Sequence, residues 1–222
     1  MMHQYGTNIS KLYLFKLSIP IFFSNIAIPL VGLVDTALMG HMGSEKFLAA
    51  ISIATTVITM LFWSFGFLRM GTVGLVSQSL GREDWNEITL VLIRNLALAL
   101  LIGFLIILLK NPILLLVEHF FKTSQETKLL INQYISIRIL SAPAELILYV
   151  LTGFYLGLQK TKIASIGVSI FCIGNIIFSL IFVIHLNLEI IGVAAGTLIS
   201  AYLTIVILLM FSYFFLKKKF DS

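Results

Sequence analysis

Residues 190–216 read IIGVAAGTLISAYLTIVILLMFSYFFL, and this stretch contains no charged side chain. A helix of about twenty apolar residues is long enough to cross the hydrocarbon core of a bilayer. The stretch does not alternate between apolar and polar positions, as a strand of a membrane barrel would. It therefore predicts a transmembrane helix.

The rest of the chain has the same apolar character. Hydrophobic residues make up 59% of the 222 positions and charged residues only 11%, whereas a soluble domain carries roughly a quarter charged residues. Because so little polar surface cannot cover a globule in water, lipid must be the solvent for much of the chain. The sequence predicts an all-α integral membrane protein in contact with a lipid bilayer.

Six apolar stretches follow one another along the chain, and most of the connections between them are short and polar. Short connections favour antiparallel neighbours and hence one compact bundle. We therefore predict a six-transmembrane-helix bundle that forms a single membrane domain over residues 1–222. The predicted spans are residues 13–39, 47–70, 88–109, 129–158, 163–185 and 190–216.

The formal net charge is +5, but the basic residues stand near the ends of the spans, where they fit anchoring and orientation better than binding of nucleic acid. Cytoplasmic loops carry an excess of Lys and Arg. We expect a multi-pass protein of the cell (inner) membrane with both termini in the cytoplasm. The side with more basic residues holds Lys11, Lys16, Arg82, Lys160, Lys162, Lys217, Lys218 and Lys219, and the other side holds Lys46, Lys110, Lys122 and Lys128.

Motifs of enzymatic and metal chemistry are absent from the sequence. There is no paired-His helix motif, no phosphate-binding loop, no Gly-x-Ser-x-Gly turn and no Cys/His cluster with metal-ligand spacing. The single cysteine excludes an internal disulfide. We therefore expect no enzyme, no metal and no cofactor, so that any transport would use an ion gradient or a partner's ATPase.

The first span contains an acid at a place where charge is costly. An Asp at the centre of a transmembrane helix costs about 2.5–3.5 kcal/mol on insertion scales, so such residues are candidates for function. Asn25, Gly32 and Asp35 share one helical face by their spacing. A carboxylate on this face can bind a cation or take up a proton. It can equally hydrogen-bond a neighbouring helix or lie near the outer headgroups.

The fifth span carries a polar stripe at spacings of three and four residues, which places the stripe on one helical face. Such a face either lines an aqueous cavity or joins helices by hydrogen bonds. The amide is its least ordinary member, because both ends of an amide need partners in hydrocarbon. The stripe consists of Ser165, Ser169, Cys172, Asn175 and Ser179.

Two further patterns concern helix packing. Small residues four positions apart, at Gly153–Gly157 and Gly192–Gly196, predict close contact between helices. Arg138 and Glu145 are two turns apart on one face, roughly 10 Å along the axis. We expect each of these two charges to find a partner on another helix, in a cavity or at an interface rather than to pair directly.

Four stretches, in this order along the chain, carry a family signature. They are PLVGLVDTALMGH at residues 29–41, FGFLRMGT at 65–72 followed by QSLG at 78–81, RILSAPA at 138–144, and GFYLGLQ at 153–159. Together they resemble the MATE (multidrug and toxic compound extrusion) transporters, particularly the DinF-like branch. The similarity covers essentially the whole chain as the N-terminal six-helix half of such a transporter.

The resemblance implies a secondary active multidrug efflux antiporter, driven by H⁺ or Na⁺, that exports small organic, chiefly cationic, compounds. In the family, the N-terminal lobe holds a cation or proton site made of a first-helix Asp, a fifth-helix Asn-x-x-x-Asp pair and a sixth-helix Thr. Asp35, Asn175 and Thr197 match this pattern, and Ser179 stands in place of the second acid. Because only one acid remains, a proton site centred on Asp35 is favoured over a two-carboxylate Na⁺ site. Pro20 matches the proline at which the first helix of some relatives bends.

The resemblance also implies a second six-helix lobe, because members of the family work by alternating access between two lobes. We expect this lobe from a separate chain or from self-association, unless the chain is truncated. Two alternatives stay open. One is a non-transporting membrane subunit or decayed fragment whose polar faces serve only assembly. The other is a flippase of lipid-linked precursors from the wider superfamily, which fits the apolar bulk but not the four signatures.

Overall fold

The computed structural model describes residues 31–40 and 45–220, which are helical apart from short turns. Among the described residues, five helical stretches are long and apolar enough to cross a membrane. The prediction of an all-α membrane bundle is confirmed. Pro20, Asn25 and most of the first predicted span lie outside the described residues. The five stretches are Glu45–Gly81, Trp85–Leu108, Gln125–Gly157, Thr161–His185 and Glu189–Phe220.

Some of these stretches contain breaks, so the helices are numbered individually along the chain. The bounds are α1 Val31–Gly40, α2 Glu45–Trp63, α3 Phe67–Gly81, α4 Trp85–Leu108, α5 Lys110–Phe120, α6 Gln125–Arg138, α7 Ala142–Gly157, α8 Thr161–Leu180 and α9 Glu189–Phe220. A short 3₁₀ turn, Ile139–Ser141, joins α6 to α7, and a π-helical turn, Ile181–His185, extends α8.

The second span is longer than predicted. We expected it to end at Met70, just after the charge of Arg69, but the helical stretch continues to Gly81 with a single break at residues 64–66. Residues 71–81 contain no proline and no charge, so nothing in them stops a helix. A charged residue near the middle of a stretch is therefore a poor marker of a helix end.

Local chemistry explains where several helices begin. The Asp84 side chain accepts a hydrogen bond from the Glu87 N–H at 2.9 Å and caps α4, because the first N–H groups of a helix have no partner within it. The Ser124 side chain accepts from the Thr127 N–H at 3.3 Å and caps α6 in the same way. Pro143 stands in the first turn of α7, where its missing N–H costs nothing. The 3₁₀ turn lies directly before it.

Helix α7 lies at the centre of the bundle. It packs against α3, α4, α8 and α9, and nearly all of its residues are buried. On the outer helices, large apolar side chains such as Leu101, Phe104 and Phe214 are more than half exposed. An exposed apolar surface of this kind belongs in lipid rather than in water, so the bundle presents its outer faces to the bilayer.

Glycines set the closest helix contacts, as the small-residue patterns predicted. A Cβ added at Gly153 in α7 would lie 2.6 Å from the Arg69 carbonyl oxygen in α3. A Cβ added at Gly196 in α9 would lie 2.6 Å from the Ser179 hydroxyl in α8. The interpretation of both patterns as close helix contact is confirmed. The second contact also positions a side chain of the predicted site.

Candidate cation site

Asp35 lies inside the bundle, although most residues of α1 are exposed or half-buried. Its side chain is only 4% exposed, while Gly32, Leu33 and Thr36 of the same helix are exposed. The Oδ1 atom is buried and has no hydrogen-bond partner among the described residues. A buried carboxylate oxygen without a partner is costly, so a proton or a cation at this atom would relieve the cost.

Asn175 and Thr197 join α8 to α9 within the bundle. The Asn175 Nδ2 donates to the Thr197 Oγ1 at 2.6 Å, and both residues are buried. The Thr197 hydroxyl in turn donates to the Val193 carbonyl of its own helix at 3.2 Å. The Asn175 Oδ1 has no partner among the described residues. The amide therefore presents a free acceptor oxygen to the interior.

Ser179 lies one turn beyond Asn175 on α8 and is fully buried. Its hydroxyl abuts Gly196 of α9 and interacts with the Asp35 carboxylate, without meeting the geometry of a formed hydrogen bond. At the position where the resemblance implies a second acid, this chain has a neutral hydroxyl.

The structure therefore places oxygens from two helices, α1 and α8, in the interior without partners among the described residues. These atoms are the Asp35 Oδ1, the Asn175 Oδ1 and the Ser179 Oγ. Oxygen atoms of carboxylate, amide and hydroxyl groups are ligands for small hard cations, and a carboxylate is also a proton acceptor. Of the four predicted site residues that the structure describes, Asn175 and Thr197 are hydrogen-bonded, and Ser179 adjoins Asp35.

The expectation that Arg138 and Glu145 find separate partners is wrong. The Arg138 guanidinium donates directly to Glu145 Oε1, and both side chains are almost buried. Ser141 joins the pair, because it accepts from Arg138 and lies 2.8 Å from Glu145 Oε1. The axial separation misled the prediction, since an extended Arg and a Glu that points back towards the helix N-terminus together span two turns.

The pair adjoins the predicted site. Arg138 interacts electrostatically with the Asp35 carboxylate across the interior. Tyr134, one turn before Arg138, is buried and interacts with both Arg138 and Asp35. The Phe62 ring of α2 lies 5.6 Å from the guanidinium carbon of Arg138. Sequence reasoning missed this part of the site, although the buried-charge rule that selected Asp35 applies equally to Arg138.

A polar face on α2 lies outside the bundle core. Ser52, Thr56 and Thr59 are exposed on this helix, and Ser64 is exposed in the turn that follows it. Thr56 donates to the Ser52 carbonyl at 2.7 Å, and Ser64 donates to the Met60 carbonyl at 2.9 Å. A run of hydroxyls on an outward face suits an aqueous cleft or another protein surface better than it suits lipid tails.

Sequence comparisons connect the chain to transport proteins. The MatE family model matches residues 20–181. The DNA damage-inducible protein F of Escherichia coli (strain K12) is 38% identical over 194 residues, which cover 87% of this chain and 42% of that protein. The multidrug export protein MepA of Staphylococcus saprophyticus is 24% identical over 201 residues, which cover 90% of this chain and 44% of that protein.

Solved structures with the same fold agree with the sequence matches. An outward-facing multidrug resistance MATE family transporter of the MOP superfamily superposes with a TM-score of 0.81 at 22% identity, covering 87% of this chain and 43% of that one. A MOP superfamily transporter from Pyrococcus furiosus superposes with a TM-score of 0.80 at 21% identity, with the same coverage of both chains. The chain thus spans less than half the length of the relatives that it matches.

Proposed function

Because the chain belongs to the MatE family, whose members are transporters and not enzymes, we propose that it works as part of a secondary active antiporter. The antiporter exports small organic, chiefly cationic, compounds in exchange for H⁺ or Na⁺. Asp35 is the coupling acid, and Asn175, Ser179 and Thr197 form its polar surroundings. Pro20 lies outside the described residues, and its role at a bend of the first helix stays a prediction.

One observation carries the proposal, namely the buried Asp35 carboxylate, one oxygen of which has no partner among the described residues. In a low-dielectric interior, this charge is tolerated only when something neutralises it. A proton or a Na⁺ can do so, and an organic cation can do so in its place. Competition between the two for one negative charge is sufficient to couple their movements in opposite directions.

The proposed cycle follows from this competition. When Asp35 is ionised, its negative charge attracts an organic cation to the lobe. When an ion enters from outside and neutralises Asp35, that attraction is lost, and the compound is released outside. The ion can shift the conformational equilibrium only by as much as its binding differs between the inward-open and outward-open states.

A second lobe is part of the proposal. Alternating access needs a cleft between two lobes, and the described bundle corresponds to less than half of the matched relatives. The exposed hydroxyl face of α2, which includes Ser52 and Thr56, suits one wall of such a cleft. Whether the second lobe belongs to the same polypeptide or to another one does not change the chemistry at Asp35.

For the orientation, we propose cytoplasmic termini in the cell membrane. The ends of α7 and α9 and the start of α4 form one basic group, in which Lys160 lies 4.7 Å from the Phe215 ring and Lys219 lies 4.7 Å from the Trp85 ring. At the opposite ends of the helices, Lys46 forms an ion pair with Glu126. The excess of basic residues on the first side favours the cytoplasm for that side.

The experiment that tests the proposal compares Asp35→Asn with the parent protein. Efflux of a fluorescent organic cation is measured in cells that carry no other exporter for it, with the proton and sodium gradients collapsed one at a time. We expect efflux by the parent to stop when the coupling gradient is removed, and efflux by Asp35→Asn to fall to the level of cells without the protein.

The matched control is Asp84→Asn, which changes the same functional group at the exposed cap of α4, where Asn serves equally well. We expect this control to export normally. Gradient-driven efflux by Asp35→Asn at the parent rate would contradict the assigned role. If the parent protein shows no gradient-dependent flux in its native assembly, the alternative function, a non-transporting membrane subunit, is favoured instead.

A further inference from the structure

The interior of the lobe holds three charged groups that must be considered together. Arg138 and Glu145 are paired, with side chains 10% and 13% exposed, and Asp35 is 4% exposed. Two acids and one base carry a net charge of −1 when all are ionised. Net charge in a low-dielectric interior is expensive, whereas a neutral cluster is far less so. The cluster is therefore one positive charge short of balance.

The contacts show which acid is already neutralised. The guanidinium is held by direct bonds to Glu145 and to Ser141, so its charge is committed to Glu145. Asp35 interacts with Arg138 only through space. The Arg138 Nε is buried and has no partner among the described residues. One nitrogen of the guanidinium therefore makes no hydrogen bond within the described residues, although the group is paired with Glu145.

Within residues 31–40 and 45–220, the helices around the cluster add no further charge that faces it. Asn175 and Ser179 from α8 and Thr197 from α9 are uncharged. The remaining titratable neighbours are Tyr134 on α6 and Tyr149 on α7, and Arg69 of α3 acts on Tyr149. The Lys46–Glu126 pair lies at the ends of α2 and α6 and is exposed. The balance in the interior therefore depends on Asp35, Arg138 and Glu145.

We propose that Asp35, Arg138 and Glu145 act as one unit that binds a single monovalent cation, H⁺ or Na⁺. In this unit Arg138 is a positioning residue that neutralises Glu145 and leaves Asp35 as the acid that exchanges the ion. The inference rests on the proposed function of Asp35, and it adds the stoichiometry and the reason that a second buried acid does not exchange ions.

Single and double substitutions give a pattern that a purely structural role would not produce. Glu145→Gln frees the charge of Arg138 for Asp35, so the unit is neutral without an ion. Arg138→Gln leaves two uncompensated acids. The double variant Arg138→Gln/Glu145→Gln restores the original net charge of −1. The expected ion counts are one for the parent, zero for Glu145→Gln, two for Arg138→Gln and one for the double variant.

The experiment counts ions on the purified full chain in nanodiscs, using a pH indicator for protons and radioactive Na⁺ for sodium. Each count is taken relative to the Asp35→Asn variant, so that exposed carboxyl groups cancel. Folding is checked by monodispersity and helical content before counting. If one single variant fails to fold, the other still decides, because Asp35 acting alone would leave its count at one.

A count of one for the parent and a return to one in the double variant would support the proposal. A parent count of two, an unchanged count in Glu145→Gln, or a double variant that stays at zero or two would overturn it. A parent that takes up one ion but exports nothing would contradict the proposed function alone. A parent that exports with a count of two would contradict this inference alone.

Discussion

Two of the helix contacts that glycines make in this bundle differ in what they leave unpaired. Between α3 and α7, Gly153 and Gly157 let the helices approach until a Cβ would overlap the Arg69 carbonyl or Val76. Between α8 and α9, Gly196 allows an equally close approach to Ser179. The sequence signature of the two contacts is the same, a pair of small residues four positions apart.

The polar groups at the two contacts behave differently. At the α3–α7 contact, Thr72 donates to the Leu68 carbonyl at 2.6 Å and accepts from Asn95 at 2.9 Å. At the α8–α9 contact, the Ser179 hydroxyl and the Asn175 carbonyl oxygen have no partner among the described residues. Since each unpaired buried polar group costs about 1–3 kcal/mol, the first contact serves stability and the second retains a cost that an ion can offset.

The largest expected effect comes from filling the glycine positions. Gly153→Ala places a methyl group against backbone, so we expect a loss of about 1–3 kcal/mol in the free energy of unfolding from overpacking. Gly196→Ala should lose a similar amount and also lose ion uptake, because it pushes Ser179 away from its place. Thermal unfolding and the ion count, measured on the same preparations, check both expectations.

The control for these two variants is Gly71→Ala, because a Cβ at Gly71 meets nothing within 4 Å. We expect its stability to be unchanged or raised by up to about 1 kcal/mol, since Ala favours a helix over Gly. If Gly153→Ala were as stable as this control, the α3–α7 contact would not be as tight as described. If Gly196→Ala kept full ion uptake, the two contacts would not differ in function.

A smaller effect separates the two contacts by their hydroxyl groups. Thr72→Val removes a satisfied hydrogen bond with Asn95 and should cost about 1 kcal/mol. Ser179→Ala removes an unsatisfied hydroxyl, so stability should stay the same or rise by up to about 1 kcal/mol, while ion binding weakens. Opposite signs in thermal unfolding would support the comparison, and a large loss of stability in Ser179→Ala would argue that its hydroxyl is paired after all.

The smallest effect is expected at a turn that belongs to neither contact. Gln159, between α7 and α8, has φ of 59°, a conformation that costs an ordinary L-residue about 1–2 kcal/mol. Gly adopts it freely but loses more entropy on folding, so Gln159→Gly should gain about 0.5 kcal/mol. Gln159→Ala is the matched control and should gain nothing. A loss of stability in Gln159→Gly would show that the Gln159 side chain itself contributes.

Much of the fold could be predicted from the sequence because span length and lack of charge are set by the bilayer. The glycine contacts at Gly153 and Gly196 could be predicted too, since only small residues let helices approach so closely. The end of the second span could not, because the uncharged residues after Arg69 continue the helix. Spacing along a helix gives the axial distance between residues but not the reach of their side chains.

The candidate site was partly accessible from the sequence. The cost of a buried charge selected Asp35, the polar stripe contained Asn175 and Ser179, and the resemblance added Thr197 and joined the four into one site. Their roles stay a prediction. The Arg138–Glu145 pair was missed because its formation depends on side-chain direction and on the hydroxyl of Ser141. The unpartnered oxygens could not be foreseen either, since only the packing of three helices determines which polar atoms lack a partner.

The most direct measurement is infrared difference spectroscopy of the full chain in nanodiscs, recorded on adding protons and, separately, Na⁺. Protonation of a carboxylate, or its binding of Na⁺, changes the carboxyl bands. Beyond the changes of the exposed carboxyl groups, we expect one such change that disappears in Asp35→Asn and remains in Asp84→Asn. A band change that survives unaltered in Asp35→Asn would show that the ion binds elsewhere and would contradict the central role of this buried acid.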